Sequence, residues 1–186
     1  MSGLYIPMNR RDLLFVDCET SGLEPTVQEI LELAAVRVTH DFSREVGSFE
    51  RKCRMQHPEL AESKALEINR YSAEEWKYAD PILLALVDYT DLVGDNECIV
   101  VGQNPSFDVG FLKEAFKREG IPYPNTKYLL DTASIAWSLC VRGHIDRINL
   151  ETICKAYDIP NDGSHRAMAD VRRTMAAYRH LLGLAA

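Results

Sequence analysis

The stretch Leu13-Leu14-Phe15-Val16-Asp17-Cys18-Glu19-Thr20 constrains the fold of this chain more than any other. Four apolar residues run together, and two carboxylates follow with one residue between them. A short continuous apolar run reads as a strand buried on both faces in the middle of a sheet. Side chains alternate along a strand, so Asp17 and Glu19 point to one side and Cys18, a core thiol, to the other. Two like charges at the end of a buried strand are costly unless a positive group sits between them. A divalent cation meets that need.

The rest of the chain supplies a sheet for this strand, itself expected over 12–17. The apolar residues of 30–38 predict a second strand and those of 45–55 a third, an antiparallel meander. Ser21 to Pro25 reads as a turn in which Gly22 takes positive φ. The pattern turns helical from Pro58 to Asp91, with Pro81 in a helix first turn. Cys98 to Val101 predicts strand four. Asn104 then caps a helix that begins at Pro105, buries Phe107, Phe111, Leu112, Ala115 and Phe116, and stops at Gly120. Tyr128 to Leu130 is strand five, Asp131 caps a helix over 132–140, and Asn149 caps a shorter one. A last helix starts near Ser164 with Val171, Met175, Tyr178 and Leu182 inward. Three strands followed by alternating helix and strand predict a mixed α/β sheet with helices on its faces. No repeat or linker divides the chain, so its 186 residues read as one domain with a core over about 12–182.

Composition narrows the function. Lys and Arg number 21 against 28 Asp and Glu, a net charge of −7, which argues against a broad basic face for nucleic acid. Basic residues cluster only locally, at Arg142, His144 and Arg147 and at Arg166, Arg172 and Arg173. Five scattered cysteines without a CxxC pair point to free thiols in a reducing compartment, the cytoplasm, and away from a structural zinc. No apolar run reaches the ~20 residues that span a bilayer, and Met1 to Met8 lacks the pattern of a signal peptide, so no membrane partner is expected.

Asp17 and Glu19 end strand one, Asp108 lies in the first turn of the helix after strand four, and Asp170 in the last helix, five residues after His165. Strand ends and helix starts meet at one crevice in a layered α/β domain. Each residue alone has a plainer reading: Asp17 as a turn residue, Asp108 as an acid favoured by the helix dipole, Asp170 as a solvated helix residue, His165 as a loop histidine. Together their oxygens suit Mg2+ or Mn2+ better than zinc.

Asp17-Cys18-Glu19-Thr20-Ser21-Gly22-Leu23 resembles the first motif of the DEDDh 3′→5′ exonucleases. Gln103-Asn104-Pro105-Ser106-Phe107-Asp108 resembles the second, and His165-Arg166-Ala167-Met168-Ala169-Asp170 the third. The resemblance runs from about residue 12 to 182. It implies an RNase H-like fold with a five-stranded mixed sheet, and two divalent ions, Mg2+ or Mn2+. Asp17 would bridge both ions, Glu19 and Asp170 would complete one and Asp108 the other. His165 would be the general base, and an imidazole's ordinary pKa of ~6.5 suits that task. The backbone at Thr20 would hold the 3′ end and Leu23 would pack on the last base, with sugar or base contacts near Asn104 and Phe107. The implied reaction removes nucleoside 5′-monophosphates from single-stranded 3′ ends, DNA before RNA. The first motif is closer to the proofreading and ribonuclease T-like branches than to oligoribonucleases. The chain departs from many relatives at Gln103, where they carry His, and matches loosely over 62–76, a segment that often lines the substrate groove. A polymerase partner, a homodimer and a chain acting alone all remain open. So do a non-catalytic binding scaffold and an oligoribonuclease-like RNA hydrolase.

Overall fold

The computed structural model describes residues 6–94, 98–124, 126–163 and 165–184. The first residues of the chain and Ser164, where the last helix was expected to start, lie outside them. Strands β1 (Leu13–Thr20), β2 (Ile30–Val38) and β3 (Glu45–Lys52) come first, then helices α1 (Ser63–Ile68) and α2 (Ile82–Val93). Next are β4 (Ile99–Gly102), α3 (Pro105–Arg118), β5 (Tyr128–Asp131), α4 (Thr132–Val141), α5 (Leu150–Ala156) and α6 (Ala167–Leu181). The sheet order is β3-β2-β1-β4-β5, antiparallel across β3, β2 and β1 and parallel across β1, β4 and β5. This is the five-stranded mixed sheet of the RNase H-like fold, with β1 in its centre.

The alternation of β1 builds both layers of core. Leu14, Val16 and Cys18 face α2 and α3, against Tyr89, Phe111 and Phe116. Leu13 and Phe15 face α6, against Val171 and Tyr178. Asp17 and Glu19 continue the α6 face, so the strand that fills the core also carries two acids out of it.

β1 is longer than expected. It runs to Thr20, with a bulge at Glu19/Thr20, while β4 pairs only with Leu13 to Phe15. The end of β1 therefore projects past β4, and backbone groups on that edge need other partners.

Several local expectations are corrected. β3 stops at Lys52; Cys53, whose N–H still donates to Leu31 O of β2, forms an isolated bridge to Asp80. The helical pattern of 58–91 is broken at Arg70, whose φ is +52°, and splits into α1 and α2. Pro81 occupies the N-cap position of α2, just outside its first turn. Gly22 does not take positive φ; a Cβ there would meet Gln28 Cγ at 2.4 Å, so close approach is what demands glycine. Asn104 is at the N-cap of α3 but in the left-handed region, and its side chain makes no cap bond. Leu182 is exposed beyond the end of α6. Asp131 and Asn149 do cap α4 and α5 with their side chains, and Gly120 follows α3 at φ +69°. Among the described residues no helix is long and apolar enough to cross a membrane.

Candidate active site

The site is built on the overhang of β1. The backbone N–H of Cys18 has no β4 carbonyl to meet, and it donates to Asp108 Oδ1 at 2.9 Å. Asp108 is buried in the first turn of α3, which therefore brings its acid to the edge of β1 between Asp17 and Glu19. From the other layer α6 directs its N-terminus at the same strand end. Asp170 lies in its first turn, and the His165 N–H donates to Asp170 Oδ2 at 3.2 Å. Donor atoms of Glu19, His165 and Asp170 lie within 4.8 Å of one another.

Electrostatics mark the same place. Burial, then the charges of Asp108, Glu19 and Asp170, push the Asp17 carboxyl well above the ordinary carboxylate range. Burial and Asp170 raise Glu19 to about 7 against the pull of Arg166. Burial lifts Asp108 to about 7 even though the Cys18 N–H favours its anion. Such groups gain from a cation placed among them. Asp170 has a cation already: buried Arg173 donates to its Oδ1 from the next helical turn.

Beside the acids is a cleft of about 260 Å3, lined among others by Glu19, Thr20, Gly22, Leu23, Phe107 and His165. Three of the four expected substrate contacts, Thr20, Leu23 and Phe107, thus share one cavity with Glu19 and His165. Asn104 does not line it. Its backbone N–H instead donates to Asp131 Oδ1 at 2.9 Å.

The opposite wall falls in the loosely matching segment 62–76, none of whose residues the sequence singled out. It is Glu62, Lys64, Ala65, Ile68 and Asn69, from α1 and its flanks. Glu62 N–H donates to Ser21 O at 2.8 Å and Asn69 Nδ2 to Thr20 O at 2.7 Å, so this segment is docked onto the end of β1. A helix of six residues leaves too short a period to read.

Glu32 was also missed. It is 1% exposed and pairs across the sheet with Glu19, so the two side chains share a face. Burial and a hydrogen bond shared with Glu50 raise it to about 7. The one signal was a lone acid inside the nine apolar-rich residues of β2.

The arginines of one basic cluster are already engaged by acids. Arg172 pairs with Glu45, Arg173 with Asp170, and Arg166 with Glu75. Arg142, His144 and Arg147 are exposed.

Residues 14–178 match the family model RNase_T, described as an exonuclease. A DNA polymerase III of PolC type from Halalkalibacterium halodurans is 28% identical over 170 residues, 91% of this chain and 11% of that protein. The PolC-type polymerase of Bacillus subtilis is 30% identical over 158 residues, 85% and 10% of the two chains. Among solved structures, exonuclease I superposes with a TM-score of 0.79 at 21% identity, over 93% of this chain and 41% of that one. E. coli exonuclease I in complex with an oligonucleotide gives 0.77 at 22% identity, over 91% and 41%. This chain thus spans about a tenth of the length of the polymerases and about two fifths of exonuclease I. The chain belongs to the RNase_T family of exonucleases.

Proposed function

We propose that the chain is a single exonuclease domain that removes nucleoside 5′-monophosphates one at a time from single-stranded 3′ ends, DNA in preference to RNA. The observation that carries this reading is the convergence of Asp17, Glu19, Asp108, Asp170 and His165 at the overhang of β1, three of the acids being raised by burial and by one another. Four carboxylates and one imidazole form a hard, oxygen-rich donor set that fits Mg2+ or Mn2+. Asp17, Glu19, Asp108 and Asp170 would hold two such ions, which when bound supply positive charge to the scissile phosphate and to the attacking and departing oxygens.

The chain's own residues do the rest. The cleft walled by Leu23, Phe107 and α1 takes the terminal nucleotide, and the backbone at Thr20 holds its 3′ hydroxyl. His165 accepts a proton from water as the water oxygen attacks phosphorus. The bond from phosphorus to the 3′ oxygen of the preceding nucleotide breaks, and that oxygen takes a proton from solvent, leaving a new 3′ hydroxyl on the strand and the phosphate on the released nucleotide.

The PolC-type relatives favour a proofreading context beside a polymerase, and the free cysteines favour a reducing compartment such as the cytoplasm. The test is degradation of a 5′-labelled single strand with Mg2+ or Mn2+, beside RNA, duplex and dinucleotide substrates. The parent shortens single-stranded DNA fastest and needs metal, and Asp17→Ala slows it by ~1,000-fold or more. A parent that binds strand without shortening it would instead support a scaffold.

A further inference from the structure

The third motif places His165 in an awkward backbone. Its φ is +64°, a region that L-residues with side chains avoid, and Gly163 two residues before it is also left-handed. The ring is exposed, and the one hydrogen bond described for the residue is from its backbone to Asp170. Something outside the loop must hold it in place.

The residue after it is anchored on several sides. The Arg166 guanidinium donates to Glu75 through Nη2 and lies over the Trp76 ring, with Cζ 5.2 Å from its centroid. Its Nη1 faces Glu32 Oε2 at 3.7 Å, and both atoms are buried with no hydrogen-bond partner. The platform is itself fixed. Trp76 Nε1 donates to Leu31 O at 2.9 Å, and Lys52 Nζ, bonded to the same Glu75, sits 4.5 Å from the Trp76 ring centroid. Glu19, Glu32 and Lys52 form one row across β1, β2 and β3, so the platform shares the face of the sheet that carries the acids.

We propose that Arg166 is the positioning residue for His165: clamped between Glu32, Glu75 and the Trp76 ring, it pins the left-handed loop so that the imidazole stands over Glu19 and Asp170. A guanidinium with these three partners is already engaged, which separates this role from a direct phosphate contact. The inference rests on His165 being the base of the proposed reaction.

The experiment is a double-mutant cycle with Arg166→Ala and His165→Ala, read as kcat and KM on single-stranded DNA, with melting temperature as the folding control. His165→Ala is expected to lower kcat by ~100-fold or more. Arg166→Ala alone should lower kcat by ~10- to 100-fold, the cost of a misplaced group, with KM changed by less than ~3-fold. In the His165→Ala background the same change should cost less than ~3-fold, because the two act as a unit. Millimolar guanidinium should restore part of the kcat of Arg166→Ala, and Arg166→Lys should fall between parent and alanine variant. Losses that multiply in the double variant, or a loss confined to KM, overturn the proposal. If His165→Ala is fully active, the base reading fails instead. The clamp is then judged by NMR of the histidine rings: Arg166→Ala must shift or broaden the His165 signal, and an unchanged signal overturns it.

Discussion

Leu23 is 73% exposed, at the rim of the cleft that holds Glu19 and His165. Folding alone gives no reason for a leucine there, whereas an unstacked base offers it an apolar face. Leu23→Ala should therefore raise KM for single-stranded DNA by ~5- to 10-fold, about 1 kcal/mol of apolar burial. Stability should stay within ~0.5 kcal/mol, as for most surface substitutions. Steady-state kinetics and a melting curve check both halves, and an unchanged KM would remove Leu23 from the substrate contacts. The carboxylates were legible because an acid after an apolar run is chemically conspicuous. Asn104 was read as a cap from its neighbour Pro105 and as a substrate contact from the family resemblance. Its left-handed backbone makes no side-chain cap bond, and the Asp131 carboxylate that takes its N–H lies 27 residues along the chain, a pairing that local pattern does not carry.

At the scale of elements, Asp131 connects two of them. Its carboxylate accepts from Ala133 and Ser134 at the start of α4 and from the Asn104 N–H at the start of α3, the helix that delivers Asp108. Asp131→Ala should destabilise the fold by about 1–2 kcal/mol, a helix cap plus a second backbone bond. That corresponds to a fall of roughly 3–6 °C in melting temperature for a chain of this size. A loss near zero would mean that water replaces the carboxylate at both helices. The long strands and helices were legible because their periods are long: β2 and α3 fall where the apolar pattern puts them. The segment 58–80 was not, because it is held by contacts made elsewhere. Backbone bonds tie Arg54 to Asp80 and Glu62 to Ser21, and the Trp76 ring bonds Leu31. One wall of the cleft is made of that segment, so that wall was the least readable part of the site.

For the whole molecule, the raised acids predict how stability follows pH. Glu19, Glu32 and Asp108, each pushed to about 7, bind protons in the folded state that the unfolded chain releases from its ordinary carboxylate range upward. Their contribution is full below that range and is lost as pH rises through about 7. In chelator, melting temperature should therefore fall between ~pH 5 and ~pH 8, and added Mn2+ or Mg2+ should restore more of it at the higher pH. A metal increment equal at both pH values would contradict this. Activity should also fall with added salt only gently, since the chain is acidic at −7 and Arg166, Arg172 and Arg173 are already paired with acids. The row of acids on the face of β1 and β2 also bears on descent. Selection for folding alone would erase it, since each neutral replacement relieves burial and repulsion together. A duplicated copy freed from catalysis would drift toward higher stability by shedding these residues first. Asp17→Asn, inactive, should accordingly melt above its parent in the absence of metal.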